Sequence, residues 1–391
     1  YLCVNAAEAG FTGILDLTRS SVADASLAIK ALTVRSGTLG LKLDGSDATV
    51  SEAIAAILPS SISLVIFSYT DFNSGRLGSN QKLFGAKGAV TAIEVASIDE
   101  ARSGVDAGYD LLVAKGSESG GRTGSTTSFV LLQALVSNFK APIWVQGGVG
   151  LSTAAACYAG GARGVLLDAQ LFLTAESPLP EEVKKTIARM DGGEPSFICQ
   201  SAPYRAYCRH GSPLLAQLAA WEDDLSLKGD IQGWHSRVRS AIGWGAENLW
   251  PIGQDIGFAS RFSKFKTVSG VLKAFRASVG EHIRAARSVK PLAPGSLLAR
   301  SVGMEYPVFQ GPMARVSDSP ELPFMALSTL KREEITPMLS GTAELLKGRP
   351  WGVGILGFNA EELLNEQLDA LYPFSPGFAV IAGGKPGQVS L

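Results

Sequence analysis

Short β-rich apolar runs alternate with alanine-rich helical stretches over roughly the first 175 residues of the chain. Continuous apolar strands separated by helices are typical of a parallel sheet that is covered on both faces. One of the helical stretches, Ser97–Gly108, opens with a capping-box pattern formed by Ser97 and Glu100. The pattern predicts seven strands: Gly13–Leu17, Gly40–Asp44, Leu64–Tyr69, Val90–Ala96, Leu111–Lys115, Pro142–Val145 and Gly164–Leu167.

Seven strands are one fewer than a (β/α)8 barrel contains. The chain opens with a predicted helix, Leu2–Ala9, so the first strand would precede residue 1. An open, doubly wound sheet is the alternative, because periodicity alone does not separate the two folds. The glycine-rich polar strand ends "AKGSESGG" and "WVQGGVG" favour the barrel, whose ligands bind at the C-terminal face of the strands. We therefore predict an α/β fold, a (β/α)8 TIM barrel followed by a helical insert and a second, partial TIM-barrel-like βα unit.

The character of the sequence changes around Pro178-Leu179-Pro180. The following residues show helical patterns such as Val268–Ser288 without a clear strand period, and "KPLAPGS" marks the end of this part. Strands are then predicted again at Tyr306–Met313, Leu322–Ser328, Pro350–Gly357 and Phe378–Gly384. We predict three parts: a barrel without its first strand at 1–180, a helical insert or linker at 181–302, and the N-terminal part of a second barrel at 303–391.

Composition argues against several classes of function. The net charge is −1 and no basic patch with interleaved aromatic residues occurs, so a nucleic-acid partner is not expected. No apolar run approaches the roughly 20 residues of a membrane-spanning helix. The four cysteines are scattered without a CxxC pair, which predicts neither disulfides nor a metal site and indicates a reducing, cytoplasmic compartment. Because the chain starts without methionine or a signal-like segment, we expect it to be part of something longer.

Glycines expose the backbone at two predicted strand ends, in "GSESGGRTG" (Gly116–Gly124) and in Gln146-Gly147-Gly148. Backbone amides at a strand end, followed by a helix N-terminus, form a natural seat for an anion such as a phosphate. The alternative is that each glycine only turns the chain at a corner between strand and helix.

These two stretches together resemble the nitronate monooxygenase (2-nitropropane dioxygenase) family and its relatives, the FMN-dependent enoyl reductases of fatty-acid synthesis. "YPVFQGPMARVSDSPE" resembles the first strand and turn of that family, and "RPWGVGILGF" resembles its third strand, so the chain would hold two copies. Tandem copies joined by a helical linker resemble a region of large modular polyketide synthases. The resemblance implies FMN as cofactor, bound by Gly120, Gly121, Gln146, Gly147, Gly148, Gly161, Gln310, Gly311, Pro312 and Met313.

Three departures from the family pattern stand out. Arg122 occupies the place of a histidine that acts as acid or base in the family, and arginine stays protonated at neutral pH. Asp168 would repel a phosphate near the end of its strand, so the first barrel is expected to bind FMN poorly or not at all unless an arginine compensates. The third departure is the absence of a helix between Glu321 and the next strand, and we expect residues to be missing there and after Gln388.

Two functions of different classes follow. The first is an FMN-dependent oxidoreductase domain of a polyketide or fatty-acid megasynthase, with Arg122 and Glu118 as catalytic candidates. Its partners would be an acyl carrier protein or acyl thioester, other synthase domains and, in a homodimer, a second copy. The second is a catalytically silent barrel that serves as scaffold or docking module. A third reading, an aldolase or isomerase barrel, offers only Lys115 as a lysine at a strand end. The histidines His210, His235 and His282 are expected to have surface or packing roles.

Overall fold

The computed structural model describes residues 2–32, 37–72, 74–199, 201–385 and 387. The chain divides into two compact units, Tyr1–Arg284 and Ala285–Leu391. The predicted insert thus shares a unit with the barrel up to Arg284, while the predicted boundaries near residues 180 and 302 stay predictions. Within the described ranges no helix is long and apolar enough to cross a membrane.

Strands of the first unit form two sheets. Its strands are β1 Thr12–Asp16, β2 Thr38–Asp44, β3 Ile62–Ser68, β4 Val90–Val95, β5 Leu111–Lys115, β6 Gly121–Arg122, β7 Ile143–Gln146, β8 Gly164–Leu166, β9 Ser196–Phe197 and β10 Tyr204–Ala206. The large sheet is parallel throughout, with the order β1-β2-β3-β4-β5-β7-β8. All seven predicted strands are present, each within two residues of its predicted bounds, and the curled parallel sheet confirms the predicted fold class.

The helices of the first unit alternate with the strands of the large sheet and then form the insert. They are α1 Leu2–Glu8, α2 Val22–Lys30, α3 Ala48–Ile57, α4 Leu77–Gly85, α5 Ile98–Asp106, α6 Ser128–Asn138, α7 Leu151–Ala159, α8 Glu181–Ile187, α9 Leu214–Lys228, α10 Ile231–Ala241, α11 Ala259–Phe262 and α12 Val268–Val289, the last of which continues past Arg284. Short 3-10 helices lie at Ala169–Leu171, Gln254–Phe258 and Ser263–Phe265.

Local hydrogen bonds explain why α5 begins where the sequence predicts. The Ser97 hydroxyl accepts from the Glu100 amide at 3.2 Å, and the Glu100 carboxylate accepts from the Ala96 amide at 2.7 Å. One amide of the first helical turn, that of Glu100, and the amide of Ala96 just ahead of the N-cap are therefore both paired. The cap also fixes Glu100 at the carboxyl end of β4, where its carboxylate is available to a further partner.

The two faces of the large sheet carry different side chains because successive residues of a strand point to opposite faces. The outer face packs under the helices through buried residues such as Leu41, Val65 and Leu112, each worth about 1.5–3 kcal/mol of burial free energy. The inner face holds a smaller apolar cluster that includes Leu64, Ala92 and Val113. Two residues further along several strands, the inner face becomes polar, at Asp16, Lys42, Ser68, Glu94, Lys115 and Gln146.

The sheet has two edges, β1 and β8. Among the described residues no strand pairs with both of them. A first strand ahead of residue 1, which the sequence predicts for this place, lies outside the chain and stays a prediction.

The insert contains two short strands besides its helices. Its short strands β9 and β10 form an antiparallel sheet with β6, in the order β6-β10-β9. Arg205, at the centre of this sheet, donates to the carbonyl oxygens of Ser117 (2.6 Å) and Pro195 (3.0 Å). The insert is thereby attached to the polypeptide that follows β5, at the carboxyl end of the large sheet.

The second unit has a parallel three-stranded sheet in the order β11-β12-β13. Its elements are α13 Leu297–Ser301, β11 Phe324–Ala326, α14 Arg332–Leu346, β12 Gly352–Leu356, α15 Glu361–Leu371 and β13 Phe378–Ala382. The strand predicted at Tyr306–Met313 is irregular instead, because Pro307 and Pro312 cannot donate to a ladder. Between Met313 and β11 the described residues form turns and no helix. The suspected missing residues near Glu321 stay a prediction, and Gln388 lies outside the described residues.

Candidate functional site

A cavity of about 1530 Å³ lies at the carboxyl ends of the large sheet. Its wall contains the last residue of six strands: Asp16, Asp44, Ser68, Lys115, Gln146 and Leu166. The insert supplies further lining residues, which include Tyr204, His235, Arg239, Trp244 and Asp255. Ligands of parallel α/β barrels bind at this end of the strands, so this cavity, which we call the mouth, is the candidate site.

The inner wall of the mouth contains a buried ion cluster formed by Lys42, Glu94 and Lys115. Lys42 Nζ lies 2.5 Å from one carboxylate oxygen of Glu94, and Lys115 Nζ lies 3.5 Å from the other. Asp16 adds a longer contact to Lys42, at 3.9 Å. Glu94 is 4% exposed and Lys115 is 6% exposed. One buried carboxylate is thus the main counter-charge for two lysine side chains.

The pKa values of the cluster follow from this sharing. Burial opposes the charge of Glu94, but Lys115 and Lys42 outweigh it and lower the pKa of Glu94 to about 2. Burial also opposes the charge of Lys42, yet Glu94 and Asp16 raise the Lys42 pKa above its ordinary value. For Lys115 burial prevails over the attraction of Glu94, and the Lys115 pKa is lowered. The two lysines of one cluster are therefore shifted in opposite directions.

Arg122, the catalytic candidate in the place of the family histidine, lines the mouth but is bound by an acid. Its Nη2 lies 2.7 Å from Glu100 Oε1, and its Nη1 lies 3.5 Å from Glu100 Oε2. The guanidinium also lies 5.3 Å from the centroid of the Phe72 ring. Burial raises the pKa of Glu100 more than Arg122 lowers it. Arg122 thus reaches the mouth with its charge already paired.

Glu118, the second catalytic candidate, caps a helix. Its carboxylate accepts from the Ser128 amide at 2.9 Å and from the Ser128 hydroxyl at 3.2 Å, at the start of α6. Arg122 is among the described residues that line the mouth and Glu118 is not, so the structure does not bring the two candidates together there. Their catalytic roles stay predictions.

The glycines predicted to bind a cofactor fall into three places. Gly120 and Gly121 line the mouth, and Gly121 has φ +83°, a conformation that other residues rarely adopt. Gly147 and Gly148 also have positive φ, but the side chains of Ser119 and Glu118 occupy the space where their Cβ atoms would lie. Gly161 precedes β8, so it lies at the amino ends of the strands, with Val136 beside it.

Gln146 and Asp168 meet at the mouth, and Asp168 caps a turn. Gln146 Nε2 donates to Asp168 Oδ2 at 3.1 Å, and the other oxygen of Asp168 accepts from the Ala169 amide at 2.6 Å. Gln146 Oε1 is buried and has no hydrogen-bond partner among the residues that the structure describes. Burial, followed by the charge of Asp168, raises the pKa of Asp255 well above its ordinary value. An amide oxygen without a partner and a carboxyl group with a raised pKa thus lie at this wall.

The remaining predicted cofactor residues belong to the second unit. Gln310 Nε2 donates to the Phe324 carbonyl at 3.2 Å, and the Pro312 ring packs where a Cβ of Gly354 would lie. The Met313 amide donates to the Ser317 hydroxyl at 2.6 Å, while its side chain is exposed. The binding of a flavin by these residues and by Gly311 between them stays a prediction.

Sequence reasoning missed most of the charged residues of the mouth. Lys42 and Glu94 interrupt predicted apolar strands, in "GLKLD" and "AIEVA", and their period of two with Gly40 and Ala92 places them on the inner face. That pattern was a usable signal. No comparable signal marked His235 or Tyr204, because the contact between the insert and the mouth depends on tertiary packing.

His235 and Tyr204 bring two more titratable groups to the mouth. Burial, and after it the charge of Arg122, lowers the pKa of His235 to about 4, so its imidazole is neutral at pH 7. Burial raises the pKa of Tyr204, which keeps its phenol protonated. Arg239, also from the insert, forms an ion pair with Asp44 at the end of β2. Among the described residues no cluster of acidic, histidine and cysteine side chains is suited to hold a metal ion.

Comparison with known proteins gives a family match for part of the first unit. Residues 49–194 match the family model of nitronate monooxygenase. A dehydrogenase of (3aS,4S,5R,7aS)-5-hydroxy-7a-methyl-1-oxo-octahydro-1H-indene-4-carboxyl-CoA from Rhodococcus jostii is 30% identical over 191 residues, which cover 47% of this chain and 51% of that protein. The chain therefore spans about half the length of the curated relatives it matches.

Two solved structures are similar in fold. FabK from Thermotoga maritima superposes with a TM-score of 0.61 at 20% identity, over 73% of this chain and 90% of that one. The enoyl reductase domain of MlnA, from the macrolactin biosynthesis cluster of Bacillus amyloliquefaciens, superposes with a TM-score of 0.55 at 9% identity. The superposition covers 73% of this chain and 93% of that domain. At these identities the likeness shows the fold.

Proposed function

We propose that the first unit, which carries a barrel of the nitronate monooxygenase and enoyl-reductase-like family, is an FMN-dependent oxidoreductase. The observation that carries the proposal is the mouth at the carboxyl ends of the strands. It combines a large cavity, a bare backbone at Gly121, and buried lysines on its inner wall. The match of residues 49–194 to the family model supports the same class of enzyme.

The residues of the mouth fit an FMN molecule. A cavity of about 1530 Å³ exceeds the roughly 300–1,000 Å³ of common ligand pockets, so a flavin and a substrate can be accommodated together. The unpartnered Gln146 Oε1 can accept a hydrogen bond from an N–H group of the flavin ring. The absence of a side chain at Gly121 leaves room in the mouth. The arginines Arg19 and Arg76 line the same cavity and would offset the phosphate charge. The phosphate would not use the amides of Gly147 and Gly148, because these two residues do not line the mouth.

A bound flavin would supply hydride transfer, and the side chains of the mouth would set its charge balance and move protons. Lys42, whose pKa is raised, keeps an ammonium group at the wall of the mouth, which would favour an anionic reduced cofactor. Arg122 cannot accept a proton, since a guanidinium stays charged. His235 is neutral at pH 7 and lines the cavity, so its imidazole can accept a proton from a bound substrate.

We infer an acyl thioester as substrate class, with an acyl carrier protein and other domains of a polyketide or fatty-acid synthase as partners. The likeness to the enoyl reductase domain of MlnA supports this context, and the curated relative acts on a carboxyl-CoA compound. The second unit carries the resemblance to a further copy of the barrel and would belong to the same large protein.

The catalytically silent scaffold is the second candidate. It is favoured by one observation, the pairing of Arg122 with Glu100 at the place of the family's histidine. A silent barrel needs no proton acceptor there and gains stability from the pair.

The experiment is a titration of the purified protein with FMN, followed by quenching of flavin fluorescence. Native protein is expected to bind, and Gly121→Leu, which fills the mouth, is expected to lose at least tenfold in affinity. Gly211→Leu is the matched control, because Gly211 has a similar φ of +79° but open space around it. Failure of the native protein to bind FMN would favour the scaffold. Equal FMN affinity of the two variants would show that FMN does not bind in the mouth.

A further inference from the structure

The ion cluster of the mouth contains more positive than negative charge. Lys42 and Lys115 both lie within ion-pair distance of Glu94, and Glu94 carries a single negative charge. All three side chains are at least largely buried. Because a buried charge without a full partner is costly, the amine with the weaker carboxylate contact loses its proton more readily.

The geometry selects Lys115 as that amine. Lys42 has the short contact to Glu94, 2.5 Å, and the additional carboxylate of Asp16 at 3.9 Å. Lys115 has only the longer contact to Glu94, 3.5 Å. Besides Glu94, the charged groups that act on Lys115 are Lys42 and Arg122, which disfavour its ammonium form, and Asp168, which favours it. Burial is the largest influence and lowers the Lys115 pKa.

Lys115 is also open to a ligand. It is the last residue of β5 and lines the mouth. Its Nζ lies 3.6 Å from the point where a Cβ of Gly121 would be, and the Tyr204 hydroxyl lies 3.9 Å from the same point. The missing side chain at Gly121 therefore leaves a space with an amine on one side and a protonated phenol on the other.

We propose that Lys115 is a nucleophilic amine that forms an imine with an aldehyde or ketone bound in the mouth. The nitrogen adds to the carbonyl carbon, and one of its protons moves to the carbonyl oxygen. A second proton, taken from solvent, lets that oxygen leave as water, and a protonated imine remains on Lys115. Lysines that are desolvated or adjacent to another cation are activated for this reaction, and Lys115 meets both conditions. The Tyr204 hydroxyl can donate a hydrogen bond to the carbonyl oxygen.

The test is reductive labelling of flavin-free protein with glyoxylate and sodium cyanoborohydride at pH 7, with peptide mass spectrometry as readout. Lys115 is expected to be labelled at least about tenfold faster than the exposed Lys185, since each pKa unit changes the neutral fraction about tenfold. Labelling of Lys115 at the rate of Lys185 or below would overturn the proposal, as would preferential labelling of Lys42.

Variants of the neighbouring cation separate reactivity from accessibility. In Lys42→Met, Glu94 serves Lys115 alone, the Lys115 ammonium form is stabilised, and labelling at pH 7 is expected to fall by at least fivefold. Lys42→Arg keeps the cation and is expected to label like native protein, while Lys185→Met is the remote control. Equal labelling of Lys115 in the folded Met and Arg variants would contradict the mechanism of activation.

The inference concerns the same mouth as the proposed function, but it needs no flavin, so the two can fail separately. Labelling that FMN does not suppress, in protein that fails to bind FMN, would support the lysine and count against the flavin site. FMN binding without labelling of Lys115 in the free protein would support the flavin site and overturn the lysine proposal.

Discussion

The mouth contains two ion groupings that differ in their charge count. Arg122 and Glu100 form a one-to-one pair, in which both side chains retain some exposure. Glu94 is shared between Lys42 and Lys115 and is almost fully buried. The first grouping pairs one cation with one anion, whereas in the second two amines share one buried carboxylate. The difference supports our proposal that the shared cluster, rather than Arg122, holds the reactive groups of the mouth.

Removal of Glu94 is expected to give the largest effect. Glu94→Gln leaves two buried lysines without their main counter-charge, which should lower the free energy of unfolding by about 3–5 kcal/mol. Glu100→Gln is the matched control and should cost about 1 kcal/mol or less, because its pair is partly exposed. Urea unfolding of the two variants measures the difference. Equal losses would mean that the two groupings are energetically alike.

Lowering the pH is expected to change the contributions of Glu94 and Glu100 to the free energy of unfolding in opposite directions. Glu94 has a folded-state pKa of about 2, below its ordinary value of 4.5, so its stabilisation is present above about pH 4.5 and is lost toward pH 2, by about 3 kcal/mol. The Glu100 pKa is raised, so its contribution favours the folded state at low pH and declines as the pH rises above 4.5. Urea midpoints from pH 2 to 6 should show a shallower acid loss in Glu94→Gln and a steeper one in Glu100→Gln.

The smallest expected effect concerns His235. Arg122→Gln removes a cation that, after burial, contributes to the lowered pKa of His235. The His235 pKa should rise from about 4 but stay below 6.5, and an NMR titration of the imidazole protons measures it. His210 serves as the internal reference in the same spectra. An unchanged His235 pKa would show that Arg122 and His235 do not interact across the mouth.

The sheet of the first unit was predictable from sequence because each strand is a continuous apolar run bounded by glycine or polar residues. The resemblance to the nitronate monooxygenase and enoyl-reductase-like family, stated from "KGSESGGRTG" and "QGGVG", is confirmed. The second unit was less predictable: "YPVFQGPM" has the composition of a strand, but its prolines prevent ladder pairing.

The site was predictable only in part. The sequence places glycines at strand ends, but it does not show whether a ligand or the chain itself fills the space beside them. Gly121 borders the mouth, whereas Gly147 and Gly148 are packed by Ser119 and Glu118. The period of two along their strands places Lys42 and Glu94 on the inner face of the sheet, so these two residues were predictable. The position of His235 in the mouth results from long-range packing of the insert, which no local pattern encodes.

The most direct test of the flavin site is a crystal structure of the protein grown with saturating FMN. We expect electron density for the flavin in the mouth, within contact of Lys115, Gln146 and Gly121. Flavin density at another place, or a mouth without flavin in crystals where FMN is saturating, would contradict it.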